Sequence, residues 1–297
     1  MRIQSMSVCV PASKCFNDCA YCCSKMHGGD YENIWARLDK FSEYARSLKN
    51  ALEFARDNGC NTVILTGNNE PQQDVNFLKV FALVNQTISK PFRSIEIQTS
   101  GAFVDDKMLS FLKDAVGVTT VAVSTSCIDN KEVNLSMVRS CDKNLDPVDL
   151  FKRIKEKGMN LRVCLNMNDQ IIAKEGSIKE KVDTIFKICK EVDADQITFR
   201  KLWSNDKGTS QYKWVQENVT SKTDEMMEEM KARIRSNGKF LGTLEFGASQ
   251  YDYEGFSLVI DEDSMAQDGS NAAIKYLIFR PDGHVYSKWD SKASKLF

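Results

Sequence analysis

The chain has 297 residues, of which 42% are hydrophobic, and its 40 basic and 41 acidic side chains leave a formal net charge of -1. This length and composition suffice for one large domain, or two small ones, with a sizeable core. The balanced charge provides no basic field for non-specific nucleic-acid binding, so a polynucleotide substrate is not expected. No apolar run approaches the ~20 residues of a membrane span and the N-terminus lacks a signal-peptide core, so we expect a cytoplasmic protein without a membrane partner.

The first predicted element is a short buried strand from Ile3 to Val10, which leads into a loop that is rich in cysteine. Cys15, Cys19 and Cys22 follow at spacings of three and then two intervening residues, with Tyr21 directly before the third. Three thiolates on one tight loop can hold one face of an iron-sulfur cubane. They would leave one iron of a four-iron cluster without a protein ligand, and that iron is open to chemistry.

A zinc site and a disulfide framework are the alternative interpretations of these cysteines. Structural zinc takes four ligands, usually as two separated pairs, and no second pair follows in the sequence. Cys23 is poorly placed to complete a tetrahedron because it is adjacent to Cys22. Disulfides are not expected in a long chain without a signal peptide. The cluster is therefore the favoured prediction, and a non-catalytic zinc- or cluster-binding module stays open as the alternative.

Beyond this loop, helical and strand-like segments alternate along the chain. Apolar residues at spacings of three and four predict a helix from Trp35 to Asn58, which Gly59 ends. The same reasoning predicts strands at 62–65, 94–98, 119–123, 161–165 and 196–199, and helices at 77–84, 107–115, 147–157, 178–192 and 223–236. Buried strands that alternate with amphipathic helices are typical of a parallel sheet with right-handed crossovers. Six such units fall short of a closed barrel, so we expect an α/β fold with an open, partial (β/α)6 TIM-like barrel.

Two parts of the chain depart from this alternation. Residues 128–146 form a polar connection that is unusually long for a strand-to-helix loop. From residue 240 onward the pattern changes, because 240–260 and 274–289 alternate like antiparallel strands around a turn at 281–283. We therefore expect a barrel domain over residues 1–239 and a β-rich C-terminal extension over residues 240–297 that packs on the barrel.

The spacing of Cys15, Cys19 and Cys22, with Tyr21 before the last, resembles the motif of the radical SAM superfamily. The resemblance covers roughly residues 3–202, the span of the six predicted barrel strands. It implies a 4Fe-4S cluster on the three cysteines, with S-adenosylmethionine (SAM) bound to the open iron through its amino and carboxylate groups. It also implies that reductive cleavage of SAM yields a 5′-deoxyadenosyl radical, which abstracts hydrogen from a substrate. An external electron donor such as flavodoxin or ferredoxin is then an expected partner.

The same resemblance assigns expected roles to residues at the other strand ends. The turn at 67–71 stands where the family carries a Gly-Gly-Glu-Pro-like turn, and Glu70 is the expected acceptor for the amino group of SAM. The turn at 99–101 matches the family's third-strand turn. Polar residues of these types are also ordinary turn formers. The other expected cofactor contacts are Tyr21, which would touch the adenine, and Gly67, Asn69, Ser124, Ser126, Asn166 and Arg200.

The sequence indicates the substrate less clearly than the cofactor. Cys127 and Cys141 fall on the expected catalytic face, where a thiol can donate hydrogen to a substrate radical; an inert loop cysteine is the alternative. Because Cys189 is the last cysteine, no auxiliary cluster is expected in the tail. Moderate size and the polar loops at 128–146 and 204–222 favour a small polar, nucleotide-like substrate. A peptide-modifying or glycyl-radical-activating enzyme is the alternative function.

Overall fold

The computed structural model describes residues 2–11, 14–22, 40–204, 207–244, 248–260, 273–289 and 291–297. Cys23 and the predicted helix start at Trp35 lie outside these ranges. The strands are β1 (Arg2–Cys9), β2 (Thr62–Thr66), β3 (Ser94–Thr99), β4 (Thr120–Thr125), β5 (Asn160–Met167), β6 (Gln196–Lys201), β7 (Lys239–Thr243), β8 (Ser249–Tyr253), β9 (Phe256–Ile260), β10 (Ala273–Phe279) and β11 (Val285–Tyr286). The helices are α1 (Phe41–Asp57), α2 (Val75–Thr87), α3 (Asp106–Ser110), α4 (Lys131–Val138), α5 (Pro147–Glu156), α6 (Ile178–Glu191), α7 (Ser210–Asn218) and α8 (Ser221–Asn237).

The described strands form one sheet in the order β11-β10-β1-β2-β3-β4-β5-β6-β9-β8-β7. From β1 to β6 the strands are neighbours in chain order, and every pair is parallel. Helices connect these strands, as parallel neighbours require a long crossover. The predicted alternation of six strand-helix units is therefore confirmed.

The two faces of this sheet have different surroundings. On one face, Val63 and Leu65 of β2 belong to the same buried apolar core as Leu48 and Leu52 of α1. Each such fully buried side chain contributes about 1.5–3 kcal/mol relative to an exposed one. On the other face, side chains such as Ile64 are half-buried. This second face is the inner face of the partial barrel.

The C-terminal residues extend the sheet at both of its edges. β7, β8 and β9 form an antiparallel meander, and β10 pairs antiparallel with β11 across the predicted turn at 281–283. β9 also pairs in parallel with β6, and β10 pairs in parallel with β1. The tail is thus β-rich and antiparallel within its hairpins, as predicted, but it continues the barrel sheet as well. The domain boundary at residue 240 stays a prediction.

Two connections that were predicted as loops contain helices. α4 lies within 128–146 and begins after Asn130, whose side chain accepts a hydrogen bond from Val133 N. α7 lies within 204–222 and begins after Thr209, which accepts one from Tyr212 N. Neither segment shows a clear apolar stripe, which is why periodicity did not reveal them. No helix in the described part of the chain has the length and apolar character needed to cross a membrane.

Candidate functional site

The cysteine loop, residues 14–22, follows β1 and is held by backbone hydrogen bonds to the end of α4 and the segment after it. Asn17 forms an antiparallel β-bridge with Ser140. Ala20 N donates to Met137 O at 3.0 Å, and Cys141 N donates to Phe16 O at 2.9 Å. These bonds use main-chain atoms, so the sequence carries no side-chain signal for them. They fix the path of the loop that carries the three motif cysteines.

The side chain of Gln73 connects the cysteine loop to the turn after β2. Its Oε1 accepts from Phe16 N at 3.0 Å and from Glu70 N at 3.1 Å. Its Nε2 donates to Lys14 O. One amide therefore positions the loop on one side and Glu70 on the other. Sequence reasoning did not single out Gln73, although a glutamine three residues after a helix N-cap is a recognisable signal.

The thiols of Cys15, Cys19 and Cys22 lie near one another and near Glu70. Burial raises the pKa of the Cys15 thiol to about 11, and negative charge at Glu70 and Cys22 adds to the rise. Burial also raises the pKa of Cys19 well above its usual range, with further contributions from charge at Cys22, Glu70 and Cys15. A bound metal reverses this effect, because a coordinating thiol is deprotonated outright. The loop therefore places the three motif cysteines near one another, and their role as cluster ligands stays a prediction.

The donor set of this loop fits an iron-sulfur cluster together with a hydrogen-bond-donating ligand. Within the described ranges, no three Cys, His, Asp or Glu side chains gather as closely as one metal ion requires. The thiolates of a cubane bind different irons, so they need not converge on one point. Asn17 Oδ1 and Gln72 Oε1 are buried without a hydrogen-bond partner in the described part of the chain. Buried acceptors of this kind indicate a missing water or ligand.

Glu70 lies at the centre of a buried polar network where β2 and β3 end, and only 7% of the residue is exposed. Its Oε1 accepts from Asn17 Nδ2 at 2.9 Å. Its Oε2 accepts from Ser100 N at 2.9 Å and from Gln72 Nε2 at 3.1 Å, and Thr99 Oγ1 donates to the same oxygen. The protein itself therefore hydrogen-bonds both carboxylate oxygens. The predicted contact of Glu70 with SAM stays a prediction, and Asn17 and Gln72 are additions that the sequence did not indicate.

Gly67 and Asn69 fix the turn after β2 against the end of β1. A Cβ at Gly67 would lie 3.1 Å from Val10 O and 3.3 Å from Val10 N, so a side chain there would push two backbones apart. Asn69 Nδ2 donates to the same Val10 O at 3.1 Å. Both residues therefore support the strand that leads into the cysteine loop. Their direct contact with a cofactor stays a prediction.

Tyr21 reaches from the cysteine loop to the ends of β4 and β5. Its hydroxyl accepts from Ser126 Oγ at 2.5 Å and from Asn166 Nδ2 at 3.4 Å. Burial raises the pKa of Tyr21 well above its usual range, so the phenol stays protonated. The structure thus brings together three predicted site residues, Tyr21, Ser126 and Asn166. Their contacts with SAM, including that of Tyr21 with the adenine, stay predictions.

The remaining predicted residues lie apart from this cluster of contacts. Ser124 is half-buried on β4, and Arg200 is exposed on β6 beside Asn166 in the strand register. Cys127 is 1% exposed, and its thiol donates to Asp129 Oδ1 at 3.3 Å. Burial raises the pKa of Cys127 to about 12, and the Asp129 carboxylate adds to the rise. Cys141 is exposed. A hydrogen-donating role for either cysteine stays a prediction.

α7 forms one side of the site. Gln211 is fully buried; its Nε2 donates to Tyr21 O at 3.0 Å, and its Oε1 accepts from Ser204 Oγ at 3.0 Å. The centroids of the Trp214 and Tyr21 rings lie 5.4 Å apart. These contacts place α7 against the last turn of the cysteine loop. No local sequence pattern indicated this role for residues that had been predicted as loop.

Asp169 connects the end of β5 to the start of α8, beside α7. Its carboxylate accepts from Thr220 Oγ1 at 2.7 Å and from Thr223 Oγ1 at 2.6 Å. Partial burial acts to raise the pKa of Asp169, but the hydrogen bonds from Thr223 and Thr220 outweigh it and leave the pKa below its usual value. A lowered carboxyl pKa contributes stability above the unfolded-state pKa, and that contribution is lost as the pH falls through the folded-state pKa.

We therefore expect Asp169→Asn to lower the free energy of unfolding by about 1 kcal/mol at neutral pH. The difference from wild type should shrink once the pH falls below about 4, where the aspartate of the unfolded chain becomes protonated. Urea denaturation of both proteins at a series of pH values measures this difference. A difference that stays constant into the acid range contradicts the assigned role of the Asp169 carboxylate.

Comparisons with known proteins agree with this arrangement. A family model for the radical SAM superfamily matches residues 9–191, which is more than half of the chain. No curated protein matches the chain by sequence. Native anSMEcpe with bound AdoMet superposes with a TM-score of 0.64 at 14% identity, over 99% of this chain and 77% of that chain. The same protein with bound AdoMet and a peptide gives 0.61 at 13% identity, over 98% and 75% of the two chains.

A more distant solved structure has the same core. Coproporphyrinogen III oxidase from Escherichia coli, described as a radical SAM enzyme, superposes with a TM-score of 0.53 at 13% identity. The match covers 82% of this chain and 54% of that chain. At such low identities these similarities establish the fold. They confirm the predicted partial barrel with a β-rich C-terminal part.

Proposed function

The chain belongs to the radical SAM superfamily, and we propose that this enzyme abstracts a hydrogen atom from a small polar substrate held inside the partial barrel. Cys15, Cys19 and Cys22 would hold the 4Fe-4S cluster, and SAM would occupy the iron that the cysteines leave open. When bound and reduced by an external electron donor, these two groups supply a 5′-deoxyadenosyl radical, so the cofactor carries the difficult chemistry. The protein itself would bind and orient the cluster, SAM and the substrate, and it would exclude water from the site.

The described residues perform these tasks from several strand ends. Gln73 and the backbone bonds of the cysteine loop fix the path of the main chain that carries the three thiols. Tyr21 and Gln211 would cover the side of SAM toward α7. Ser124, Ser126 and Asn166 would contact its ribose or carboxylate, as would Arg200, which can alternatively bind an anionic group of the substrate. Closing such a site to water protects a reactive radical from side reactions.

The polar lining of the inner face carries the proposal of a small polar substrate. Glu96, whose side chain is 3% exposed, pairs with both terminal nitrogens of Arg162 at 2.9 and 3.2 Å. Gln98 donates to Glu96 at 3.0 Å, and Arg162 Nε donates to Gln196 Oε1 at 2.7 Å. Such buried networks rigidify the wall they belong to. A wall of amide and charged groups favours polar ligands, because an apolar ligand would leave polar groups without solvent.

Arg200 adds an exposed cation near the open end of this wall. It has no hydrogen-bond or ion-pair partner among the residues that the structure describes, whereas Arg162 is paired with Glu96 and Lys201 with Asp224. Its register neighbour Asn166 contacts Tyr21 of the cysteine loop. A guanidinium in this position suits a carboxylate or phosphate group.

A peptide substrate is the second candidate. The observation in its favour is that anSMEcpe with a bound peptide has the same fold over 98% of this chain. Because the identity of that match is only 13%, the peptide bound to anSMEcpe suggests a class of substrate for this chain and no more. The inner wall of this chain, rather than that likeness, supports the first candidate.

Deuterium transfer distinguishes the two candidates. Anaerobically reconstituted enzyme is incubated with SAM, a chemical reductant and one of two fractions of an extract from cells grown in deuterated medium. We expect deuterium to enter 5′-deoxyadenosine with the small-molecule ultrafiltrate, before and after its treatment with protease. Transfer from the retained protein fraction alone, or loss of transfer after protease treatment, contradicts the small-substrate proposal and supports the peptide candidate.

A further inference from the structure

We propose that the side-chain oxygen of Asn17, rather than the carboxylate of Glu70, accepts the hydrogen bond from the amino group of SAM. Glu70 is then a positioning residue, because it orients the Asn17 amide through Asn17 Nδ2. This assignment deepens the proposed function and rests on it, since it presumes that SAM binds beside the cysteine loop. It departs from the role that the family resemblance assigned to Glu70.

The first observation is that the carboxylate of Glu70 is already fully hydrogen-bonded. Two carboxylate oxygens offer about four acceptor sites. Asn17 Nδ2 and Ser100 N contact Oε1 at 2.9 and 3.2 Å. Ser100 N, Gln72 Nε2 and Thr99 Oγ1 contact Oε2. The amino group of SAM would therefore have to compete with these four internal donors for the carboxylate of Glu70.

The second observation is that the contacts of Asn17 determine how its amide is oriented. Its Nδ2 donates to Glu70 Oε1 at 2.9 Å and to Ser100 Oγ at 2.7 Å. The opposite orientation would place Oδ1 against the Glu70 carboxylate, with two acceptors facing each other. The network therefore assigns the oxygen to the other side of the amide. Both amide hydrogens of Asn17 therefore donate to described residues, and its side-chain oxygen is the group that can accept a hydrogen bond from a ligand.

The third observation is that this oxygen lacks a donor. Asn17 is 9% exposed, and its Oδ1 is buried with no partner in the described ranges. An acceptor left in this state costs about as much as a lost hydrogen bond. The sulfurs of a thiolate-bound cluster accept hydrogen bonds and cannot satisfy it. The amino group of SAM keeps two N–H donors when its nitrogen binds the open iron, so it is the part of the bound cofactors that suits Asn17 Oδ1.

The position of Asn17 in the chain agrees with this role. It lies between Cys15 and Cys19, and its backbone N–H donates to Cys15 Sγ at 3.4 Å. The thiols of both cysteines lie within electrostatic reach of Glu70. The Asn17 amide therefore stands at the junction of the ligand loop and the Glu70 network. A ligand on the open iron would meet this junction with its amino group.

Asn17→Ala tests the assignment, and Asp18→Ala is the matched control. The Asn17 side chain takes no part in the backbone bonds or the Gln73 contacts that hold the loop, so the variant should still assemble a cluster. The Asp18 side chain is 67% exposed, and its carboxylate lies 3.8 Å from the Arg139 guanidinium. We expect Asn17→Ala to weaken SAM binding about tenfold or more with unchanged iron content. Asp18→Ala should bind SAM as the wild type does.

The measurements are the dissociation constant of SAM for the reconstituted proteins and the electron paramagnetic resonance spectrum of the reduced cluster. In Asn17→Ala, the spectral change that SAM causes should need a correspondingly higher SAM concentration. Ser100→Ala provides a second variant, because it removes one acceptor of the Asn17 amide and keeps Ser100 N on Glu70. It should weaken SAM binding by a smaller factor, about threefold.

Wild-type affinity in both Asn17→Ala and Ser100→Ala, with full iron content, overturns the assignment. So does a result in which Gln72→Ala weakens SAM binding and Asn17→Ala does not, because Gln72 Oε1 is the other buried acceptor at this junction. A wild-type protein that holds a cluster and binds no SAM is a different failure. That result removes the proposed function itself, and the assignment of Asn17 with it.

Discussion

Replacing Cys15, Cys19 or Cys22 with alanine should abolish the cluster, and with it all cleavage of SAM. The wild type should take up about four irons and a similar amount of sulfide per chain on anaerobic reconstitution. Each variant should retain only a small fraction of that iron, because the loop provides one thiol for each of three irons and the variant lacks one of the three. Iron and sulfide analysis after desalting measures the loss directly.

Cys141→Ala is the matched control for these variants. Cys141 is exposed and lies next to the cysteine loop, and the bond that it makes to Phe16 O uses its backbone nitrogen, which alanine retains. Its iron content should equal that of the wild type. The assignment of the ligands is contradicted if one of the three motif variants keeps its full iron and sulfide. A colourless wild type that carries zinc instead would favour the alternative of a zinc-binding module.

Glu70→Ala should have the second largest effect, and it should appear even in the protein without its cluster. The substitution removes the carboxylate to which four buried residues donate. Asn17 Nδ2 and Gln72 Nε2 each keep another acceptor, whereas Thr99 Oγ1 and Ser100 N donate only to Glu70 among the described residues. Each buried donor left without an acceptor costs about 1–3 kcal/mol, and water that enters the vacated space recovers part of this cost. We therefore expect the free energy of unfolding to fall by about 3 kcal/mol.

Urea denaturation of the cluster-free proteins measures this loss, with Glu132→Ala as the control. Glu132 is an exposed carboxylate in the first turn of α4, where its favourable interaction with the helix dipole is worth roughly 0.5 kcal/mol. SAM binding should also weaken in reconstituted Glu70→Ala, by no more than in Asn17→Ala, because the Asn17 amide loses the group that orients it. A decrease in stability no larger than that of Glu132→Ala contradicts the central place of Glu70 in the network.

The parts of this protein that follow local or periodic rules could be predicted from its sequence. A β-branched run indicates the strand at 62–66, and apolar residues at spacings of three and four indicate helices such as α1. The three motif cysteines are close in sequence, so their meeting on one loop needs no long-range information. The carboxyl ends of parallel strands lie at one edge, which is why Glu70 and Ser126 could be expected near the loop.

The parts that depend on contacts distant in sequence could not be predicted in this way. The bridge between Asn17 and Ser140 and the bond from Gln211 to Tyr21 O join segments that nothing in their local composition connects. The parallel pairing of β10 with β1 depends on where the C-terminal part of the chain meets the sheet. The alternation of apolar and polar residues indicates only which side chains share a face of a strand. The hydrogen bonding of Glu70 likewise depends on donors from three separate turns.

The most direct test of the central claim is the formation of 5′-deoxyadenosine by the reconstituted wild-type protein. The protein is reduced under anaerobic conditions and incubated with SAM, and the products are separated and quantified. A radical SAM enzyme with its cluster on Cys15, Cys19 and Cys22 should release 5′-deoxyadenosine and methionine in equal amounts. A protein that retains its iron-sulfur cluster but leaves SAM intact under these conditions would contradict the claim.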